Sequence, residues 1–213
     1  MAYKLYCFAQ SGNAYKVALM LRLIDEPWEP VFVDFFNGEA RSPEYLENVN
    51  EMGEVPVLVD GTTKLSQSAV MLDYLSSKHG MYGGRSAEER RDILRWMFWD
   101  NHKLTANIAT ARFMMNFLSE KHRNQDVINF LLGRAKVGLK ILDKHLEGRD
   151  WIVGDGMTIA DLSCVGYFYY TDEFLTDMTP YPNIHRWRNE IAAIPDWEHP
   201  YELMPGHPLP EKS

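Results

Sequence analysis

Along the first 80 residues the apolar positions switch back and forth between the period of a strand and the period of a helix. KLYCFA, Lys4 to Ala9, is a short apolar run that reads as a buried strand. AYKVALMLRLI, Ala14 to Ile24, is spaced as a helix ending near Glu26 and Pro27, and EPVFVDF follows as a second strand. SPEYLENVN predicts a short helix, with Ser42 as N-cap and Pro43 at its first position. VPVLV and TKL are two short strands joined by Asp60 and Gly61, a hairpin turn signal. SQSAVMLDYLSSKHG then closes the region as a helix that stops at Gly80. The order is βαβ, α, ββα. A right-handed βαβ unit followed by a hairpin and a helix makes a small mixed sheet covered by helices, a thioredoxin-like arrangement.

Beyond a glycine-rich linker at Gly80 to Gly84 the pattern is helical only. Ser86 and Glu89 have capping-box spacing and open a helix reaching about Leu118. A second helix runs from Asp126 to His145 and ends at Gly148, and a third starts after Pro182 and stops at Pro195. Between them GMTIADLSCVGYFYY carries a second capping box, Thr158 to Asp161, ahead of a segment apolar on every side and so buried nearly all round. The fold class is therefore α/β plus all-α, with a thioredoxin-like domain over residues 1–80 and an all-helical domain over 86–213.

A formal charge of −8 disfavours a nucleic-acid surface and offers no attraction to anionic lipid. No apolar run is long enough to span a membrane, and the first residues, MAYKLYCFAQSG, lack the apolar stretch of a signal peptide, so the chain reads as cytoplasmic. Cys7 and Cys164 are far apart in apolar company and read as free thiols. The 7 histidines form no cluster with metal spacing, so no metal is expected.

Three stretches of the first domain carry candidate chemistry. AQSGNAYKV puts Ser11 and Asn13 at a strand-to-helix turn, where plain helix capping is the simplest role for them. In MGEVPVL, Pro56 cannot donate to a sheet ladder, so it belongs at an edge, a bulge or a strand start. A cis bond there demands a sharp turn that leaves the backbone of Val55 unpaired and open to a ligand. LSQSAV places Gln67 and Ser68 at a helix start, a position that suits a carboxylate and also suits an ordinary cap. Together, a hydroxyl, an exposed backbone and a helix N-terminus suit an extended, peptide-like anion.

VPVL followed by SQS in the first domain, and GMTIADLS in the second, resemble the cytosolic glutathione S-transferases over nearly the whole chain, and SGNAYKV is similar to bacterial-type, serine-class members. The resemblance implies glutathione as co-substrate, a second-substrate pocket for an apolar electrophile supplied by the helical domain, and a homodimer. It implies that Val55 pairs its backbone with the cysteinyl part of glutathione beside a cis Pro56, and that Gln67 and Ser68 hold the γ-glutamyl end. Arg41 falls where some members hold the glycine carboxylate, with Glu54 near the same end, and Asp100 is placed to reach the γ-glutamyl amine across a dimer. A solvated helix-face charge is the plain alternative for Asp100. Ala40, Glu54 and Gln67 stand where histidine, glutamine or lysine, and glutamate are frequent.

A free cysteine-type thiol has a pKa of about 8.5, so only a small share is thiolate at neutral pH. A serine hydroxyl is too weak an acid to act as a base, but as a donor it stabilises the sulfur anion. Ser11 is the expected thiolate stabiliser, with Asn13 orienting the loop or donating a second bond. Trp96, Phe98, Trp99, Phe113, Met114, Met115 and Phe117 form a stripe that reads first as core or dimer interface. Two other functions fit the same residues: a glutathione-dependent disulfide or peroxide reductase, and a ligand-binding or interaction module without turnover.

Overall fold

The computed structural model describes residues 2–174 and 177–208. They form two units, one made of residues 2–81 together with 195–208, the other of the described residues of 82–194. The first unit runs β1 (Tyr3–Cys7), α1 (Gly12–Leu23), β2 (Trp28–Phe32), α2 (Pro43–Asn48), β3 (Val57–Asp60), β4 (Thr63–Ser66) and α3 (Ser68–His79). Its sheet has the order β2-β1-β3-β4, with β1 parallel to β2 and antiparallel to β3. This is the mixed, thioredoxin-like sheet that the βαβ, α, ββα pattern predicts.

Local chemistry explains the boundaries. Ser42 caps α2 through Tyr45 N–H at 3.1 Å, with Pro43 in the first turn. Gly80 ends α3 in the left-handed conformation. Pro30 is tolerated within β2 because that strand lies at the sheet edge. β1 is shorter than its apolar run: it stops at Cys7, and Ala9 turns to donate its N–H to Pro205 O at 2.7 Å. Within β1, Tyr3, Leu5 and Cys7 are buried and Lys4 is exposed, so the strand alternates where its run of apolar letters reads as buried throughout.

The second unit contains α4 (Ala87–Trp99), α5 (Ala106–Asn116), α6 (Gln125–His145), α7 (Ile159–Val165) and α8 (Pro182–Ala192). The single long helix expected from Ser86 is α4 and α5 joined by a π-helical segment, Asp100–Thr105. Wider turns of this kind are often found at functional sites. Here the segment turns Asp100 inward, where it is fully buried and accepts from Thr105 Oγ1 at 2.9 Å and from Ser163 Oγ on α7 at 2.8 Å. α6 passes close to the same segment: a Cβ on Gly138 would lie 2.8 Å from Leu104 Cδ2. The Ser86 box is half made, since Ser86 Oγ accepts from Glu89 N–H but the Glu89 carboxylate turns to Arg85 N–H at 2.6 Å.

The Thr158–Asp161 box forms in full, and α7 is buried along its length. Asp161 accepts from Thr158 N–H at 2.8 Å and Thr158 Oγ1 at 3.1 Å through one oxygen, and from Ile152 N–H and Trp187 Nε1 at 2.9 Å each through the other. Burial pushes its carboxyl up to about 6, against the pull of these donors. All four groups are donors, so the ionised carboxylate satisfies the pocket and an amide does not. Asp161→Asn sets its NH2 against two of them, and unfolding in urea is expected to show a loss on the order of 2–5 kcal/mol. An unchanged midpoint and slope would show that the network can rearrange around the amide.

Candidate active site

One rung of the sheet organises the predicted residues. Tyr6 of β1 pairs with Val57 of β3, and Val57 pairs with Ser66 of β4. The segments that follow β1, precede β3 and follow β4 therefore lie at the same end of the strands. They are Phe8–Ser11, Glu54–Pro56 and Gln67–Ser68, the three stretches singled out in the sequence.

Ser11 is the N-cap of α1, 7% exposed, with Oγ accepting from Ala14 N–H at 3.2 Å. Capping uses a lone pair of the hydroxyl and leaves its proton for another acceptor. Asn13, in the first turn of the same helix, accepts from Ser68 Oγ at 3.3 Å. The start of α1 and the start of α3 are thus joined side chain to side chain.

The Val55–Pro56 bond is cis, and β3 begins at Val57, so Val55 lies outside the ladder. The preceding carbonyl, that of Glu54, is fixed by two donors, Tyr45 Oη and Asn50 Nδ2, both at 3.0 Å. Burial, with Glu39 and Tyr6 adding to it, holds the Tyr45 phenol above its ordinary value and keeps it a donor. Gln67 has φ +69° and ψ 114°, a conformation that residues with a side chain rarely adopt and that costs on the order of 1–3 kcal/mol. Its side chain does not cap α3. It donates instead to Glu54 Oε2 at 2.6 Å. An N-terminus without an N-cap side chain, beside a strained residue, is a place where an anion fits.

The glutathione S-transferase N-terminal domain family matches residues 1–77, and the glutathione S-transferase C-terminal domain family matches residues 104–195. The chain belongs to the glutathione S-transferase family. The disulfide-bond oxidoreductase YfcG of Escherichia coli K12 is 25% identical to it over 199 residues, which span 88% of this chain and 89% of that protein. A zeta-class glutathione S-transferase of Euphorbia esula is 26% identical over 205 residues, 92% of this chain and 88% of the plant protein. The crystal structure of a glutathione S-transferase from Pseudomonas fluorescens superposes with a TM-score of 0.86 at 29% identity, covering 94% of this chain and all of that one.

In this glutathione S-transferase family member that end of the strands gathers Ser11, Asn13, Glu54, Val55, Pro56, Gln67 and Ser68. Arg41 is exposed at the end of a short 3-10 turn, Glu39–Arg41, and the carbonyl of buried Ala40 lies 3.1 Å from where a Cβ on Gly53 would sit. Glu54 and Asp100 have partners that the sequence does not indicate. Glu54, expected toward the glycine end, bonds to Gln67. Asp100 is neither solvated nor extended from its helix, because the π-helical segment directs it into the second unit, where two hydroxyls hold it. Cys7 and Cys164 are free and buried, and burial pushes the Cys7 thiol up to about 12, which leaves it inert.

The aromatic stripe divides: Trp96 is buried and Phe98 is 72% exposed. Tyr45 and Asn50, which fix the Glu54 carbonyl, escaped the sequence reading, although the turn-forming composition of NVNEMG marks where Asn50 sits. Among the described residues no helix is long and apolar enough to cross a membrane.

Proposed function

We propose that the protein is a serine-type glutathione transferase in which the Ser11 hydroxyl stabilises the glutathione thiolate for attack on an apolar electrophile. The carrying observation is the link between the two helix starts: Ser68, beside the strained Gln67, bonds to Asn13, two residues from Ser11. That spacing lets one extended tripeptide lay its γ-glutamyl carboxylate at the α3 N-terminus and its sulfur at the α1 N-terminus. Val55 offers backbone groups to the cysteinyl part between them. Exposed Arg41 is the cation assigned to the glycine carboxylate.

The chemistry follows from thiol acidity. A hydrogen bond to a charged group contributes roughly 1.5–3 kcal/mol, which raises thiolate formation about ten- to a hundredfold. The sulfur lone pair forms the C–S bond, the leaving group departs with its electron pair, and the thiol proton goes to water. Gln67 carries no charge for the γ-glutamyl ammonium, and the Glu54 carboxylate 2.6 Å from its amide supplies one. A second reading, a disulfide reductase, is favoured by the similarity to YfcG. There the same thiolate attacks a disulfide, and a second glutathione releases the mixed disulfide as oxidised glutathione.

Self-association has its own support. Val127, Phe130, Val137 and Ile141 are exposed along α6 at spacings of one helix face, which suits a second copy of this chain.

Ser11→Ala is expected to remain on a glutathione resin, to lose about 1 kcal/mol of stability with its cap, and to turn over a chloro-nitro aromatic or a small disulfide about ten- to a hundredfold more slowly. An unaltered rate would remove Ser11 from the role, and a wild type that binds glutathione but turns over neither substrate would be a binding module. Glu54→Gln should weaken glutathione binding about three- to fivefold by calorimetry; tighter binding would put the carboxylate against the glycine end instead. In sedimentation equilibrium the double variant Phe130→Glu, Val137→Glu is expected to be a monomer and the wild type a dimer, and equal masses would rule out this face as the interface.

A further inference from the structure

The last described residues of the chain return to the first unit and end on the loop that carries Ser11. Past α9 (Pro200–Leu203), each of the three residues before Ser11 meets this returning strap. Ala9 N–H donates to Pro205 O at 2.7 Å. The Gln10 side chain, 3% exposed, pairs with both backbone groups of His207: Nε2 donates to the carbonyl at 2.7 Å, and Oε1 accepts from the N–H at 3.1 Å. Phe8 lies against the His207 ring at 5.8 Å between centroids, and its carbonyl accepts from Ser11 N–H at 3.0 Å.

The strap is anchored beyond these contacts. The His207 ring is packed against Phe36 at 4.3 Å and Phe32 at 5.1 Å, and its Nδ1 is 3.5 Å from Asp34 Oδ1. Upstream, Glu198 accepts from Tyr15 Oη at 2.9 Å through its carbonyl and pairs with Arg22 at 3.0 Å through its carboxylate. Only glycine fits at position 206: a Cβ there would lie 2.7 Å from Ala9 Cβ and 2.9 Å from Gln10 Oε1. Backbone, side-chain amide and glycine are all used at one place, directly before the residue assigned to the sulfur.

We propose that residues 205–207 are a positioning strap for Ser11, with Gln10 as the positioning residue on the loop and Gly206 as its counterpart on the strap. The proposal rests on the reading of Ser11 as thiolate stabiliser. Gln10 touches no substrate in this scheme. It fixes the loop so that the Ser11 hydroxyl meets the sulfur at hydrogen-bond distance, and a loop displaced by about 1 Å loses a large part of that interaction.

The test compares wild type, Gln10→Ala, Gly206→Ala and Ser11→Ala in two measurements: amide hydrogen exchange of residues 8–14, and the pH profile of kcat/KM for glutathione with a chloro-nitro aromatic. Gln10→Ala and Gly206→Ala are expected to speed exchange at Ala9 and Ser11. They should move the thiol limb of the profile toward that of free glutathione and lower kcat at least fivefold, while KM for glutathione changes less than threefold. Exchange elsewhere in the sheet reports that each variant folds, and the two substitutions approach the contact from opposite sides. If Ser11→Ala displaces the profile while both strap variants keep the wild-type limb, the strap serves stability alone and the proposal is overturned. If the Ser11→Ala profile matches wild type, the reading of Ser11 fails and this proposal falls with it.

Discussion

The antiparallel register between β1, β3 and β4 is the constraint on which the candidate site depends. Because Tyr6, Val57 and Ser66 occupy one rung, the end of β1, the start of β3 and the end of β4 lie together, with Ser11 just past the first, Val55 just before the second and Gln67 just past the third. A slip of one residue between β1 and β3 would part Leu5 from Leu58, which are paired on one face of the sheet and both fully buried. The hydrophobic core therefore holds the register, and the register holds the site. The polar contacts between segments, Ser68 to Asn13 and Gln67 to Glu54, act within distances that burial has already set.

Much of this was legible in the sequence because it is written locally. Ser11, Ser42 and Thr158 are N-caps with short, fixed spacing to the helix N–H groups they accept from, and Asp60-Gly61 marks the hairpin turn. What was not legible lies in contacts without local pattern. Gln10 meets His207 across 197 positions through an amide and a backbone, and neither produces a period or a motif. Asp100 looks like any charge on a helix face until the register of the helix changes beneath it, and the hydrogen-bond pattern of the π-helical segment has no compositional mark. The bond from Gln67 to Glu54 is equally unmarked, because neighbours in sequence say nothing about the direction of a side chain at a sharp turn.

Two buried carboxylates in the second unit show how one chemistry serves two purposes. Asp161 gathers donors from α7, from the residue Ile152 before it and from Trp187 on α8, so it closes a loop between helices. Asp100 gathers hydroxyls, one from its own segment and one from α7. Both accept hydrogen bonds from more than one element. Buried carboxyl groups so held depend on the placement of every donor, which makes a local change felt across the helices they join.

The returning strap changes what the first unit is as an object of synthesis. Its sheet and three helices precede the helical unit in the chain, but the strap that contains Gly206 follows it. The first unit is therefore complete only once the residues after the helical unit have been made. An expression fragment cut at residue 81 would hold every residue assigned to glutathione and still lack part of its own wall.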